Sequence, residues 1–106
     1  CAFGTVHGEY LSEPKLDFDR LAKIRELVSI PLVMHGGSGV SEDDYRLAIR
    51  SGIRKINYYS YMSKAGYMAA KSAIESGKSS YLHDVEYAAM QAMKEDVKKA
   101  ISIFSN

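Results

Sequence analysis

The chain has 106 residues, of which 46% are apolar and 25% charged, with a net charge of +1. This is the composition of an ordinary globular domain with a modest core. The near-neutral balance gives no basis for a nucleic-acid or anionic-membrane partner.

The single cysteine, Cys1, cannot form an internal disulfide, which fits a reducing cytoplasm. No apolar run approaches membrane-spanning length, and no signal peptide is visible. The first residue is not methionine, and the chain opens inside the apolar run Cys1-Ala2-Phe3. That pattern reads as a start in mid-strand, and so as a piece of something longer.

Cys1 to Val6 is expected to be the end of a strand, closed by His7-Gly8. Glu9 to Lys15 is polar, contains Pro14 and reads as loop. Asp17 caps a helix reaching about Val28, with Phe18, Leu21, Ile24, Leu27 and Val28 at helical spacing. Pro31 marks the start of a second strand, Ile30 to Met34, which ends in His35-Gly36-Gly37-Ser38-Gly39.

Ser41 caps the next helix, with Asp44 three residues on in a capping-box-like arrangement. Tyr45, Ala48 and Ile49 form its inner face, and Gly52 ends it. A third strand runs from Ile53 to Asn57, and a helix from about Tyr61 to Ser76 is closed by Gly77. Asp84 is placed as the cap of a final helix reaching Phe104. Its expected inner face is Val85, Ala88, Ala89, Ala92, Val97, Ala100, Ile101 and Phe104.

Strands alternating with helices predict an α/β fold with parallel strands and helical crossovers. Three parallel strands make a poor complete sheet, because such strands need both faces covered. The simplest expectation is the C-terminal three β/α units of a (β/α)8 TIM barrel, plus a long C-terminal helix. Residues 1–106 then form the C-terminal part of one barrel domain. As a hypothesis, the chain by itself neither catalyses a reaction nor stays a monomer, because a short sheet leaves both edges unpaired.

Two strands end in the same pair, His7-Gly8 and His35-Gly36. A Gly-rich turn between a strand and a helix start can gather backbone N–H groups around an anion. Two histidines on neighbouring strand ends can share a metal, although a catalytic zinc normally takes three protein ligands. The alternative is a glycine-rich turn beside histidines that only pack. Asn57 and Ser60 form a third polar cluster, either turn caps or groups that orient an oxygen. His83 reads as a surface loop residue, and Arg50, Arg54 and Lys55 as a solvated face. Tyr58, Tyr59, Tyr61 and Tyr67 read as core or interface, and Met90 and Met93 as gap-filling side chains.

Four segments taken together resemble a known family. They are Gly4-Thr5-Val6-His7-Gly8, Pro14-Lys15-Leu16-Asp17-Phe18, Ile30 through Gly39, and Lys55-Ile56-Asn57. The chain is similar over nearly its whole length to the zinc-dependent class II ketose-bisphosphate aldolases, whose main branches act on fructose or tagatose bisphosphate. The resemblance implies a lyase of carbohydrate metabolism and glycolysis, cytoplasmic, and a homo-oligomer, dimer or tetramer. It cleaves a ketose 1,6-bisphosphate to dihydroxyacetone phosphate and an aldehyde, through an enediolate.

By that resemblance His7 and His35 are two of three Zn2+ ligands. Val6, Gly8, Gly36 and Ser38 surround a monovalent cation, Na+ or K+. Gly8, Gly36, Ser38 and Ser60 hold the phosphate, and Asn57 contacts the carbonyl or hydroxyl end of dihydroxyacetone phosphate. The third histidine and the acid/base residues are expected upstream, so no catalytic residue is assigned here. After Asn57 the chain has Tyr58-Tyr59-Ser60, where the family usually has a small or acidic residue and then threonine. A rival reading is a non-catalytic phosphate-binding or assembly module with an aldolase-derived fold.

Overall fold

The structure, a computed structural model, describes residues 1–5 and 14–105. Two compact units emerge, one of Cys1–Tyr58 with the chain end from Ile103, the other of Tyr59–Ser102.

The first unit is built on local signals that the sequence states clearly. Helix α1 spans Phe18–Leu27, and the Asp17 carboxylate accepts from the Arg20 N–H at 2.9 Å. This satisfies one of the unpaired N–H groups of the first turn. Strand β1, Leu32–Met34, leads into helix α2, Glu42–Arg50, and then strand β2, Ile53–Ile56. The Ser41 hydroxyl accepts from the Asp44 N–H at 3.1 Å and starts α2. At the other end, the Ile49 carbonyl accepts from the Gly52 N–H at 3.1 Å and from the Arg54 guanidinium at 2.9 Å.

β1 and β2 pair in parallel, with Leu32 opposite Ile53 and Met34 opposite Ile56, and an irregularity after Leu32. Their apolar side chains meet Leu21 of α1, Tyr45 and Ala48 of α2, and Phe3, Val40 and Ile103 in one buried cluster. Phe18 packs on Phe3 with ring centroids 6.3 Å apart. Arg54 and Lys55 are exposed, as a solvated basic face would be.

The second unit is a helical pair, α3 (Ser60–Glu75) and α4 (Leu82–Phe104) up to Ser102. Gly66 is its buried point of close approach. A Cβ there would lie 2.8 Å from Met93 Cγ and 2.9 Å from its Sδ. Two effects oppose each other in Gly66→Ala. Alanine gains about 1 kcal/mol of helix propensity, while the flexible Met93 side chain must yield. The expected net change is within about 1 kcal/mol, whereas Gly66→Leu overpacks by about 1–3 kcal/mol. Urea midpoints for the two variants test this; equal losses would show that Met93 cannot move aside.

Several expectations need correction. Residues 1–5 form no strand, so among the described residues the sheet has two strands rather than three. The Cys1 amino group donates to the Val33 carbonyl at 2.8 Å, and the Phe3 carbonyl accepts from the Asp17 N–H at 2.7 Å. Thus the segment is tied to β1 at one end and to the α1 cap at the other, with no continuous ladder. Asp84 does not cap α4. It lies in the first turn, and its carboxylate reaches back to the Tyr81 N–H at 3.4 Å, the role of an acidic third residue.

His83 belongs to that first turn rather than to a loop, though it is exposed. Its Nε2 is 3.3 Å from the Asp84 carboxylate and its ring stacks on Tyr81. Ile101 is 57% exposed, and Ile103 takes the buried place instead. Leu27, one of the apolar residues at helical spacing in α1, is 84% exposed. Tyr59, Tyr61 and Tyr67 are exposed; Tyr58 is half-buried against Phe104.

Candidate functional site

The site is assembled where β1 and β2 end. Parallel strands finish on the same side of their sheet, which is where α/β folds build their sites. His35 directly follows β1 and Asn57 directly follows β2. The Asn57 N–H donates to the Met34 carbonyl at 3.1 Å, carrying the pairing one step past the strands. That step brings the side chains together: Asn57 Nδ2 lies 2.9 Å from His35 Nδ1 and 3.3 Å from Nε2. The Asn57 amide thus lies against the imidazole, close to both of its nitrogens. The imidazole itself is exposed.

Beyond His35 the chain makes a tight turn. The Val40 N–H donates to the Gly37 carbonyl at 3.4 Å, and Gly39 has φ 76°, as the third residue of a type II turn requires. Gly36 and Gly37 are buried and Ser38 is half-buried. The Gly37 carbonyl also accepts from the Tyr45 hydroxyl of α2. Gly37 has no room for a side chain, since a Cβ would lie 3.1 Å from Tyr45 Cζ.

The N-terminus of α2 is already occupied. Ser41 holds the Asp44 N–H, and Glu42, Asp43 and Asp44 fill the first turn. Arg46 pairs with Glu42 at 3.4 Å and with Asp43 at 3.2 Å. These carboxylates already answer the positive end of the helix. An anion at this corner therefore has the turn itself, Gly36 to Ser38, rather than the helix end.

Of the residues expected at a site, His35 and Asn57 come together, and Gly36 and Ser38 share the turn beside them. Ser60 opens α3, in the second unit. Val6, His7 and Gly8 lie outside the described residues, so the His7–His35 pairing falls outside them as well. Among the described residues no group of three His, Cys, Asp or Glu could hold a metal. The sequence reading missed the tie between Tyr45 and Gly37. The signal for it was a tyrosine on the inner face of α2, whose buried hydroxyl needs a partner.

The family profile described as "Fructose-bisphosphate aldolase class-II" matches residues 1–106. The protein YdjI of Escherichia coli (strain K12), described as uncharacterized, is 39% identical over 105 residues, covering 99% of this chain and 36% of that protein. A crystal structure of the YdjI aldolase from Escherichia coli K12 is similar with a TM-score of 0.86 at 37% identity, over 97% of this chain and 38% of that one. The fructose-bisphosphate aldolase Fba of Campylobacter jejuni has a TM-score of 0.75 at 18% identity, over 97% of this chain and 38% of that one, a likeness of fold alone. The chain thus spans a little over a third of the relatives it matches. With the family profile matched from end to end, the chain belongs to the class II fructose-bisphosphate aldolase family.

Proposed function

We propose that this chain is the C-terminal part of a (β/α)8 barrel domain, residues 1–106, in a cytoplasmic class II aldolase that cleaves a ketose 1,6-bisphosphate, fructose or tagatose, to dihydroxyacetone phosphate and an aldehyde. The observation that carries the reading is the pairing of His35 with Asn57 beside the Gly36–Ser38 turn. An exposed imidazole at a strand end leaves a ring nitrogen for zinc, and the Asn57 amide oxygen, brought to the ring by a half-turn of the amide, can accept the N–H of the other nitrogen. In this reading His7 and His35 supply two of the zinc ligands. Bound zinc acts as a Lewis acid toward the substrate ketone oxygen.

The chain's own residues bind and orient. Gly8, Gly36, Ser38 and Ser60 hold the phosphate, with Val6, Gly8, Gly36 and Ser38 around a Na+ or K+ ion. Asn57 orients the carbonyl or hydroxyl end of dihydroxyacetone phosphate. The acid/base residues belong to preceding strands, and the protein works as a dimer or tetramer.

Ser38→Ala in the full-length protein tests the phosphate role. A hydrogen bond to a charged group is worth about 1.5–3 kcal/mol, so KM for the bisphosphate is expected to rise at least about tenfold. Kinetic constants that stay at wild-type values would make Ser38 a turn residue only.

A further inference from the structure

Tyr45 is 4% exposed, and its hydroxyl ends on the Gly37 carbonyl. A carbonyl oxygen has two lone pairs. On Gly37, the Val40 N–H closing the turn takes one and the Tyr45 hydroxyl takes the other. Because a trans peptide sets its C=O and N–H on opposite sides, a Gly37 carbonyl held against Tyr45 keeps the Ser38 N–H facing away from that ring. A turn free to rotate this peptide would present a carbonyl oxygen to an anion and repel it.

The tyrosine ring carries the constraint further. It packs on Phe104 with centroids 5.0 Å apart, and Phe104 packs edge-on to Tyr58 at 5.9 Å. Tyr58 follows Asn57 directly. Three aromatic side chains of the first unit thus run from the turn after β1 to the turn after β2.

We infer that Tyr45 is a positioning residue for phosphate binding: its hydroxyl sets the Gly37–Ser38 peptide, and its ring, through Phe104 and Tyr58, sets the spacing of the two strand-end turns. The inference rests on the reading of Gly36–Ser38 as the phosphate cradle. Tyr45→Phe removes only the hydroxyl. Phe104→Leu keeps the hydroxyl and breaks the aromatic run, and gives a second reading should the first variant fold poorly. Ile53→Val trims the same buried cluster without touching either turn.

The test is equilibrium titration of the full-length protein and its variants with inorganic phosphate, alongside KM and kcat. The expected result for Tyr45→Phe is phosphate affinity lowered about three- to tenfold, the worth of one buried hydrogen bond, with KM raised and kcat kept. Phe104→Leu is expected to weaken phosphate as well, and Ile53→Val to leave it unchanged. If Ser38→Ala weakens phosphate while Tyr45→Phe and Phe104→Leu do not, the cradle stands and the positioning role falls. Equal losses in Tyr45→Phe and Ile53→Val also overturn it, because general loosening of the core would then be the cause. If the wild type binds no phosphate, or Ser38→Ala changes nothing, the cradle reading fails and takes this inference with it.

Discussion

His35→Ala in the full-length protein is expected to lose bound zinc and nearly all carbon–carbon bond cleavage. A zinc Lewis acid supplies several kcal/mol of charge stabilisation. Each ~1.4 kcal/mol is a factor of ten in rate, so the fall is about 1,000-fold or more. The fold is not the cause of that loss. His35 is exposed, and its contact with Asn57 lies outside the buried cluster. Exposed substitutions of this kind change stability by no more than about 0.5 kcal/mol. Metal content, cleavage rate and thermal midpoint are measured on the same preparation. Asn57→Ala supplies the contrast, with a loss of about 10- to 100-fold, the usual effect of removing a ligand's partner. A His35→Ala protein that retains stoichiometric zinc and wild-type rate would remove this residue from the metal site.

What could be read from the sequence was local. The Asp17 and Ser41 caps need only the next three residues, and both side chains accept the N–H groups their positions suggest. The placement of His35 and Asn57 at strand ends, and of Gly36 and Ser38 in the turn, was recognisable because strand ends and glycine turns are marked within a few residues. The failures come from interactions that sequence distance hides. The run at residues 1–5 has the composition of a strand, but a strand is defined by a ladder with a partner. Here the bonds go to Val33 at one end and Asp17 at the other.

The shift from Ile101 to Ile103 has a similar cause. Periodicity defines a face, but the end of α4 joins the buried cluster of the first unit through Ile103 and Phe104, which selects a different side of the last turn. Asp84 shows the limit of composition. An acidic residue at the cap and one three positions later both indicate a helix start, and they differ only in which N–H they reach. Tyr45 was assigned correctly to the inner face of α2, but nothing in the pattern says where its hydroxyl ends.

Leu21→Ala is expected to be among the most destabilising single truncations in the first unit. Leu21 is fully buried and is the one residue of α1 that is, so α1 is seated on the cluster chiefly by this side chain. Phe18 and Ile24 flank it half-buried. Truncating a buried leucine costs about 2–5 kcal/mol, because the transfer energy is lost and a cavity remains. Against a total stability of about 5–15 kcal/mol, this is a large share. Leu27→Ala removes the same atoms from the same helix, at a position 84% exposed, and is expected to change stability by less than about 0.5 kcal/mol. The pair holds the chemistry of the change constant and contrasts a buried with an exposed position, so the difference between their urea midpoints chiefly reads the docking of α1. Equal midpoints would mean that α1 does not rest on the sheet through Leu21. Hydrogen exchange of the α1 amides separates local release of the helix from global unfolding, since only the former leaves β1 and the His35 turn protected.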